Sequence, residues 1–261
     1  MGAPVMLFGL RGIPMIQPGD DLARLLLAGA EAHAGRLAEG DVLVVTAKVV
    51  SKAEGRLVSL ADIQPGARAQ RLAAETGKDP RLVELILRET AEVVRARPGT
   101  LIVRHRLGFV SASAGIDRSN IGGDDETALL LPADPDRSAA DLRSAIGASG
   151  VDVAVVITDS HGRAFRHGNA GVAIGVAGMS ALVDLEGVPD LHGRPLTGAS
   201  RFPVADLVAS AAVLVAGEAA QGIPAVVIRG LDASEEPPGR AADLVRPRDQ
   251  DLFGLPDADY A

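Results

Sequence analysis

The chain has no cysteine and no tryptophan, a single tyrosine, and only 2% aromatic residues in a length of 261. Without cysteine there is no disulfide, no thiolate metal site and no cysteine nucleophile. Without aromatics there is no platform for stacking nucleic-acid bases. The core must be built from Val, Leu, Ile and Ala. At 47% hydrophobic there is enough of it for one large domain or two small ones. No apolar run approaches the roughly 18–20 residues that span a bilayer. Residues 1–10 lack the basic stretch and cleavage site of a signal peptide. A net charge of −8 argues against nucleic acid and against an anionic membrane as partners. Together these absences point to the cytoplasm. Lysine is scarce too: Lys48, Lys52 and Lys78 stand among many arginines, and the first two share one short segment.

What is present is an alternation of helical and extended patterns. Residues 20–38 read as a helix capped by Asp20 or Asp21, with Leu22, Leu25, Leu26 and Leu37 as its apolar stripe. A turn through Glu39, Gly40 and Asp41 leads to a strand at 42–46. Helical patterns follow at 65–75 and 80–94. Residues 101–106 and 109–113 read as a hairpin around Leu107 and Gly108. A short helix at 138–146 precedes a strand at 151–158. Residues 171–185, rich in glycine and small apolar residues, read as strand or close-packed turn. A helix at 202–217 and a strand at 225–229 complete the pattern. The class is therefore mixed α and β (α+β) rather than doubly wound. No repeat of 20–50 residues is present. Residues 231–261 turn polar and read as a tail that packs on the domain or is partly irregular.

The strand at 151–158 runs into Asp159, Ser160, His161, Gly162 and Arg163. Buried strands present polar groups at their ends, where ligands sit. Asp159 and Ser160 can hold a hard metal ion. Arg163 and Arg166 can grip an anion in bidentate fashion. That combination points to chemistry on phosphate or carboxylate, with a divalent cation between protein and substrate. Asp117, in the cluster Ile116-Asp117-Arg118-Ser119-Asn120, offers a second carboxylate. Mg²⁺ and Mn²⁺ are commonly held by one or two carboxylates plus substrate phosphates. The same cluster also reads as an Asx-type turn. Glu218, in the loop after the 202–217 helix, reads as a solvated residue or a ligand. Gly77-Lys78 lacks the leading glycine and is followed by Asp79, so there is no P-loop. Gly171, Gly175 and Gly178 have the wrong spacing for a dinucleotide fingerprint and read as packing positions. His33 and His105 read as structural or exposed, and His161 and His167 match no common zinc spacing.

Five segments occur in an order that resembles one family. They are Gly-Ile-Pro at 12–14, Val-Val-Ser-Lys-Ala-Glu-Gly-Arg at 49–56, Ala-Gly-Ile-Asp-Arg-Ser-Asn at 114–120, Ile-Thr-Asp-Ser-His-Gly-Arg at 157–163, and Gly-Ile-Pro-Ala-Val-Val-Ile-Arg-Gly at 222–230. The chain resembles the coenzyme F420-0:L-glutamate ligase family, in its form without a nitroreductase-like extension. The resemblance implies one ligase domain over residues 1–230, divisible into two lobes, with an α+β fold that is neither P-loop, Rossmann nor ATP-grasp. It implies a homodimer. It also implies a reaction in which GTP activates the terminal carboxylate of coenzyme F420-0 and the amine of L-glutamate then attacks, extending to a γ-linked chain. By the same resemblance, Asp117 and Asp159 bind a first Mg²⁺ or Mn²⁺, and Ser160 and Glu218 help bind a second, with K⁺ a further candidate. GTP contacts fall to Ile13, Pro14, Met15 and Ile16, to Ala47, Lys52 and Asn120, and to the 216–223 loop with Ala216, Gly217, Glu218, Gln221 and Gly222. Two rivals stand beside this reading: a metal-dependent phosphohydrolase, and a non-catalytic protein that binds the deazaflavin coenzyme. The Lys52 and Asn120 segments favour a nucleotide site, which neither rival requires.

Overall fold

The computed structural model describes residues 4–119, 121, 125–198, 201–217, 221–231 and 238–251. Asn120 and Glu218 lie outside the described residues. In chain order the first elements are β1 (Met6–Leu10), α1 (Leu22–His33), β2 (Val42–Thr46), α2 (Ala47–Ala53) and β3 (Leu57–Ser59). Helices α3 (Ala67–Thr76) and α4 (Pro80–Arg88) lead to strands β4 (Thr90–Arg97), β5 (Thr100–His105), β6 (Val110–Ala112) and β7 (Thr127–Leu129). Then come α5 (Pro135–Gly147), β8 (Ala154–Gly162), β9 (Asn169–Ala177), β10 (Val183–Asp184), β11 (Arg201–Phe202), α6 (Val204–Ala216) and β12 (Ala225–Arg229).

A five-stranded sheet in the order β1-β12-β2-β8-β9 carries the architecture. Only the β2–β8 pair is parallel, and the other three are antiparallel. The inner strands β2, β8 and β12 are apolar on both faces because both faces are covered. On one face Leu43, Val45, Val155 and Ile157 pack with Leu22 and Leu26 of α1 and Leu142 and Ile146 of α5. On the other, Val42, Val44, Val156 and Val226 pack with Ala205, Ala209 and Ala212 of α6. A second lobe forms where α3 and α4 lie on the β4-β5-β6 meander, around Leu72, Val83, Ile86, Leu101 and Val103. The pattern is α+β. Among the described residues no helix is long and apolar enough to cross a membrane.

Helix α1 starts where Asp21 accepts the Arg24 N–H at 3.0 Å, and it stops at His33, short of residue 38. Gly35 turns left-handed there (φ +72), and Asp41 Oδ2 accepts the Ala38 N–H, so Leu37 reaches the core from a turn. The same Asp41 is 1% exposed and takes a two-pronged contact from Arg229 at 2.8 and 2.7 Å. That contact ties the α1–β2 turn to the last sheet strand.

Other expected boundaries differ as well. The helical reading of 80–94 covers two elements. Helix α4 ends at Arg88, and β4 begins at Thr90, turning into β5 at Pro98-Gly99. The expected hairpin at 101–113 is thus the second half of a meander. The strand at 151–158 runs on to Gly162, because β9 pairs with it as far as Gly162↔Asn169. Residues 171–177 of the 171–185 region belong to β9, where Gly171 and Gly175 are packing positions, and Gly178 turns left-handed (φ +81) just after it. A Cβ at Gly171 would meet Val213 Cγ2 at 2.6 Å and the Ala209 carbonyl at 2.7 Å, and one at Gly175 would run into the Pro135 carbonyl. The described part of the C-terminal segment, 238–251, is made of short turns but is packed. The Gly239 N–H bonds the Met179 carbonyl, Ala241 N–H bonds Asp136 Oδ1, and Asp251 pairs with Arg104.

Candidate active site

Register decides which loops meet. Leu10 at the end of β1 faces Ala225 at the start of β12, and Ala225 faces Val45 near the end of β2. Thr46 faces Thr158 across the parallel pair. One end of the sheet therefore gathers the segment after Leu10, the loop before Ala225, helix α2, and the stretch from Asp159 onward. The Thr46 N–H bonds the Pro224 carbonyl at 2.9 Å and fastens two of these together. Segments far apart in sequence line up because two antiparallel pairings and one parallel pairing bring the right strand ends side by side.

Helix α2 follows β2 without a loop. It buries Ala47, Val50, Ser51 and Lys52, which fixes the stem on which Lys48 is mounted. The Lys48 Nζ lies 2.6 Å from Asp117 Oδ2 and 3.2 Å from both the carbonyl and the hydroxyl oxygen of Ser119. Asp117 Oδ1 accepts the Ser119 N–H at 2.6 Å, and the backbone of Asp117 is bridged to Leu129. Burial alone would raise the Asp117 carboxyl; the Lys48 ammonium and the Ser119 bonds outweigh it and hold the group below the ordinary carboxylate value. Lys52 is lowered as well, but there the shift disfavours the charged form. Burial lowers its ammonium, Lys48 lowers it further, and Asp117 opposes both.

Asp159 joins this cluster from the sheet side. A Cβ built at Gly115 would sit 3.3 Å from Asp159 Oδ2, so the turn carrying Asp117 closes against Asp159. The same Oδ2 is 3.0 Å from His161 Nε2. Side chains alternate along a strand, so Asp159 and His161 share a face and Ser160 lies on the opposite one. Ser160 pairs with Gly171, against which Val213 of α6 packs, so Ser160 faces the helix that runs on to Ala216. Thr158 and Ser51 bury hydroxyl oxygens with no partner among the described residues. Groups of this kind call for water or a ligand.

Among the nucleotide candidates, Ile16 is buried in the core and Ile13 packs against it, while Pro14 and Met15 are exposed. Ala47 is buried at the start of α2. Ala216 is buried at the end of α6, Gly217 lies close against the Gln221 side chain, and Gly222 is exposed. Arg163 is spent on its own hairpin, donating to the His167 carbonyl at 2.7 Å, and Arg166 is exposed in the same turn. The residue that sequence reasoning left without a role is Lys48. Its signal was the pairing of two scarce lysines one helical turn apart.

His161 is held from behind by a ring column. Phe109 tilts against it at 4.9 Å and stacks on His105 at 5.0 Å. Below His105 lies Glu89, 3.5 Å from its ring and 2.9 Å from Arg106. The His105 contact is long for a hydrogen bond, so Arg106 is the firm anchor. The His105 ring, Arg106 and Arg56 outweigh burial and hold the Glu89 carboxyl at about 2, below its ordinary 4.5. A depressed carboxyl stabilises the fold above its unfolded value and loses that contribution as pH falls through the folded one. The contribution should be complete above about pH 4.5 and gone near pH 2, on the order of 3 kcal/mol. Melting curves between pH 7 and pH 2 test this. Glu89→Gln should be less stable at pH 7 and show a shallower acid slope than wild type, and parallel slopes would rule it out.

Beside His161 a cavity of about 390 Å³ opens between β9, α6 and the C-terminal segment. Phe109, Val172, Ile174 and Val245 give it apolar walls, and Asp206 and Arg104 give it charge of both signs. Burial raises the Asp206 carboxyl, against the Ala173 N–H and His161. Among the described residues no three His, Asp or Glu side chains converge as a metal cage. The donors at the sheet end are instead two carboxylates with hydroxyls and backbone oxygens nearby.

An α+β domain without a P-loop, with acidic and basic side chains converging at one sheet end, defines a ligand-processing domain of the non-Walker kind. The sequence over residues 11–230 matches the family described as F420-0:Gamma-glutamyl ligase. The chain belongs to that family, and so to the ligases that form C–N bonds. It is 45% identical over 251 residues to the coenzyme F420:L-glutamate ligase of Methanothermobacter thermautotrophicus, covering 95% of this chain and 98% of the relative. It is 48% identical over 242 residues to the protein of that name from Methanopyrus kandleri (91% and 93% coverage), and 42% identical over 250 to that of Archaeoglobus fulgidus (95% and 96%).

Proposed function

We propose that this chain joins L-glutamate to coenzyme F420-0 in the biosynthesis of coenzyme F420, with GTP as the activating nucleotide. The observation that carries the reading is the convergence of Lys48, Lys52, Asp117 and Asp159 at the one sheet end to which the 13–16 segment and the residues just before Ala225 also lead. In the first half-reaction a carboxylate oxygen of the coenzyme attacks the γ-phosphorus of GTP, and GDP leaves. In the second the glutamate amine, having lost a proton, attacks the acyl carbon; phosphate leaves and an amide remains. Such chemistry needs positioning and charge compensation more than an acid–base pair.

The donor set suits a hard divalent cation. Asp117 and Asp159 are carboxylates with no soft ligand near, and a cationic group already rests on Asp117. Mg²⁺ or Mn²⁺ held there would neutralise charge on the transferred phosphoryl group. Ser160, on the α6 face, together with Glu218 belongs to a second cation in this proposal, and K⁺ is a further candidate. Lys52 offers a point charge to phosphate, and Ile13 to Ile16, Ala47, Asn120 and the 216–222 loop cradle the nucleotide. His161 and the Phe109 column hold the Asp159 carboxylate in place, and the cavity beyond gives room for the amino-acid acceptor away from bulk water. Exposed Phe165, Leu191 and Leu214 are surfaces a second copy would cover in a homodimer.

The test is direct. Protein, GTP, Mn²⁺, L-glutamate and coenzyme F420-0 are incubated and the coenzyme is weighed by mass spectrometry. A gain of one or more glutamyl units, with GDP and phosphate released, is the expected result. Absence of any gain with a folded, metal-supplied protein would sink the reading. GTP cleavage without a mass gain would point to the phosphohydrolase.

A further inference from the structure

The Lys48 ammonium lies in a nest of three oxygens: Asp117 Oδ2 at 2.6 Å, and the carbonyl and hydroxyl of Ser119 at 3.2 Å each. Hard oxygens around a compact positive charge are also what a divalent cation seeks. The arrangement is not a loose surface pair. The stem of Lys48 leaves a helix that buries Ala47, Val50, Ser51 and Lys52, and Asp117 is fixed by the Ser119 N–H and by its backbone bridge to Leu129. Lys52 stands one turn further along the same helix and is 7% exposed.

We propose that Lys48 is a built-in counter-cation that occupies the metal position on Asp117 and must be displaced before a divalent ion can bind there. The proposal rests on the assignment of Asp117 as a metal ligand. Two ammoniums and the carboxylates Asp117 and Asp159 leave the cluster near neutrality. A divalent ion arriving alone would break the Lys48 contact and leave two ammoniums facing two further positive charges. The same ion arriving with a polyphosphate brings its own negative charge, and the released Lys48 then has an anion to face. Lys48 thus couples the two ligands: the metal binds weakly by itself and strongly together with nucleotide. Linkage makes the coupling reciprocal, so the nucleotide gains as much from the metal as the metal gains from it.

The experiment follows free Mn²⁺ by its electron paramagnetic resonance signal, with and without GDP, in wild type, Lys48→Met and Asp117→Asn. Lys48→Met keeps the stem and removes the charge. It should bind Mn²⁺ alone roughly fivefold more tightly than wild type, the scale of a partly exposed charged contact that no longer has to be broken. The tightening produced by GDP should shrink by at least that factor. If Lys48→Met binds Mn²⁺ alone no better than wild type while Asp117→Asn loses binding, the counter-cation is refuted and the metal site stands. If Asp117→Asn binds Mn²⁺ as wild type does, the metal assignment itself falls, and the proposal with it. Wild type gives an independent readout that needs no variant to fold. Acylation of Lys48 by an amine-reactive ester, mapped by mass spectrometry, should quicken when Mn²⁺ is added without nucleotide, and an unchanged rate at saturating Mn²⁺ would also overturn the proposal.

Discussion

Asp159→Asn is expected to lower ligation roughly a thousandfold, equivalent to about 4 kcal/mol of lost transition-state stabilisation, with little change in melting temperature. The two halves of that expectation have different causes. Asparagine has the shape of aspartate and keeps an oxygen and an amide to face His161, which lies 3.0 Å from Oδ2 in the native chain. The strand pairing Asp159↔Val172 involves only backbone. Nothing in the packing therefore has to move. What disappears is one of the two negative charges that the proposed cation needs, and hard cations depend on carboxylate charge for affinity. Raising Mn²⁺ should recover part of the loss if binding is what suffers. Wild-type turnover in the variant at saturating Mn²⁺ would remove Asp159 from the metal site.

Gly175→Ala should have the largest effect on stability, a loss of about 3 kcal/mol or more, because its new methyl would be driven into backbone rather than into a yielding side chain. The atoms it meets are the carbonyl, carbonyl carbon and Cβ of Pro135, the first residue of α5. That residue cannot retreat freely. Asp134 caps the helix through the Arg137 N–H, and Asp136 Oδ1 accepts N–H groups from Val176 and Ala241, each at 2.8 Å. Pushing α5 off β9 would break a joint that also holds the C-terminal segment. For a domain of this size the melting temperature should fall on the order of 10 °C. Gly147→Ala is the control. It ends the same helix with open space around it, and alanine there should be neutral or stabilising. Equal effects of the two substitutions would show that helix propensity, not contact with Pro135, governs Gly175.

Much of this molecule is written in local pattern. The strands at 42–46 and 225–229 have the bounds that their apolar runs predict, since a strand covered on both faces needs a continuous hydrophobic run. The glycine spacing at 171, 175 and 178 already excluded a dinucleotide loop, and close packing of α6 and α5 on β9 is the reason for Gly171 and Gly175. Asp117 and Asp159 stood out as carboxylates among turn residues beside apolar segments. Where local pattern misled, a longer-range partner had intervened. Val93 and Val94 continue a helical period, but β5 pairs with Val93 and with Arg95 beyond it, and Val94 becomes the irregularity of a strand. Asp159 to Gly162 look like a strand end, but β9 extends the strand beneath them.

By itself the sequence determined the class of the fold, the absence of thiol chemistry, the family and the identity of most polar residues at the proposed site. These depend on composition and on periodicities within one element, which a neighbour in space can adjust but seldom reverse. The tertiary structure decided which of those residues meet. The pairing order β1, β12, β2, β8, antiparallel twice and then parallel, carries four distant segments to one sheet end. The turn that closes on Asp159 brings Asp117 with it, and Lys48 crosses a separation of 71 residues to Ser119 beside that carboxylate. Contacts of that range are set by strand register and packing, for which no local run of residues carries a signal. The contact partner of Lys48 became visible for that reason only once the chain was folded.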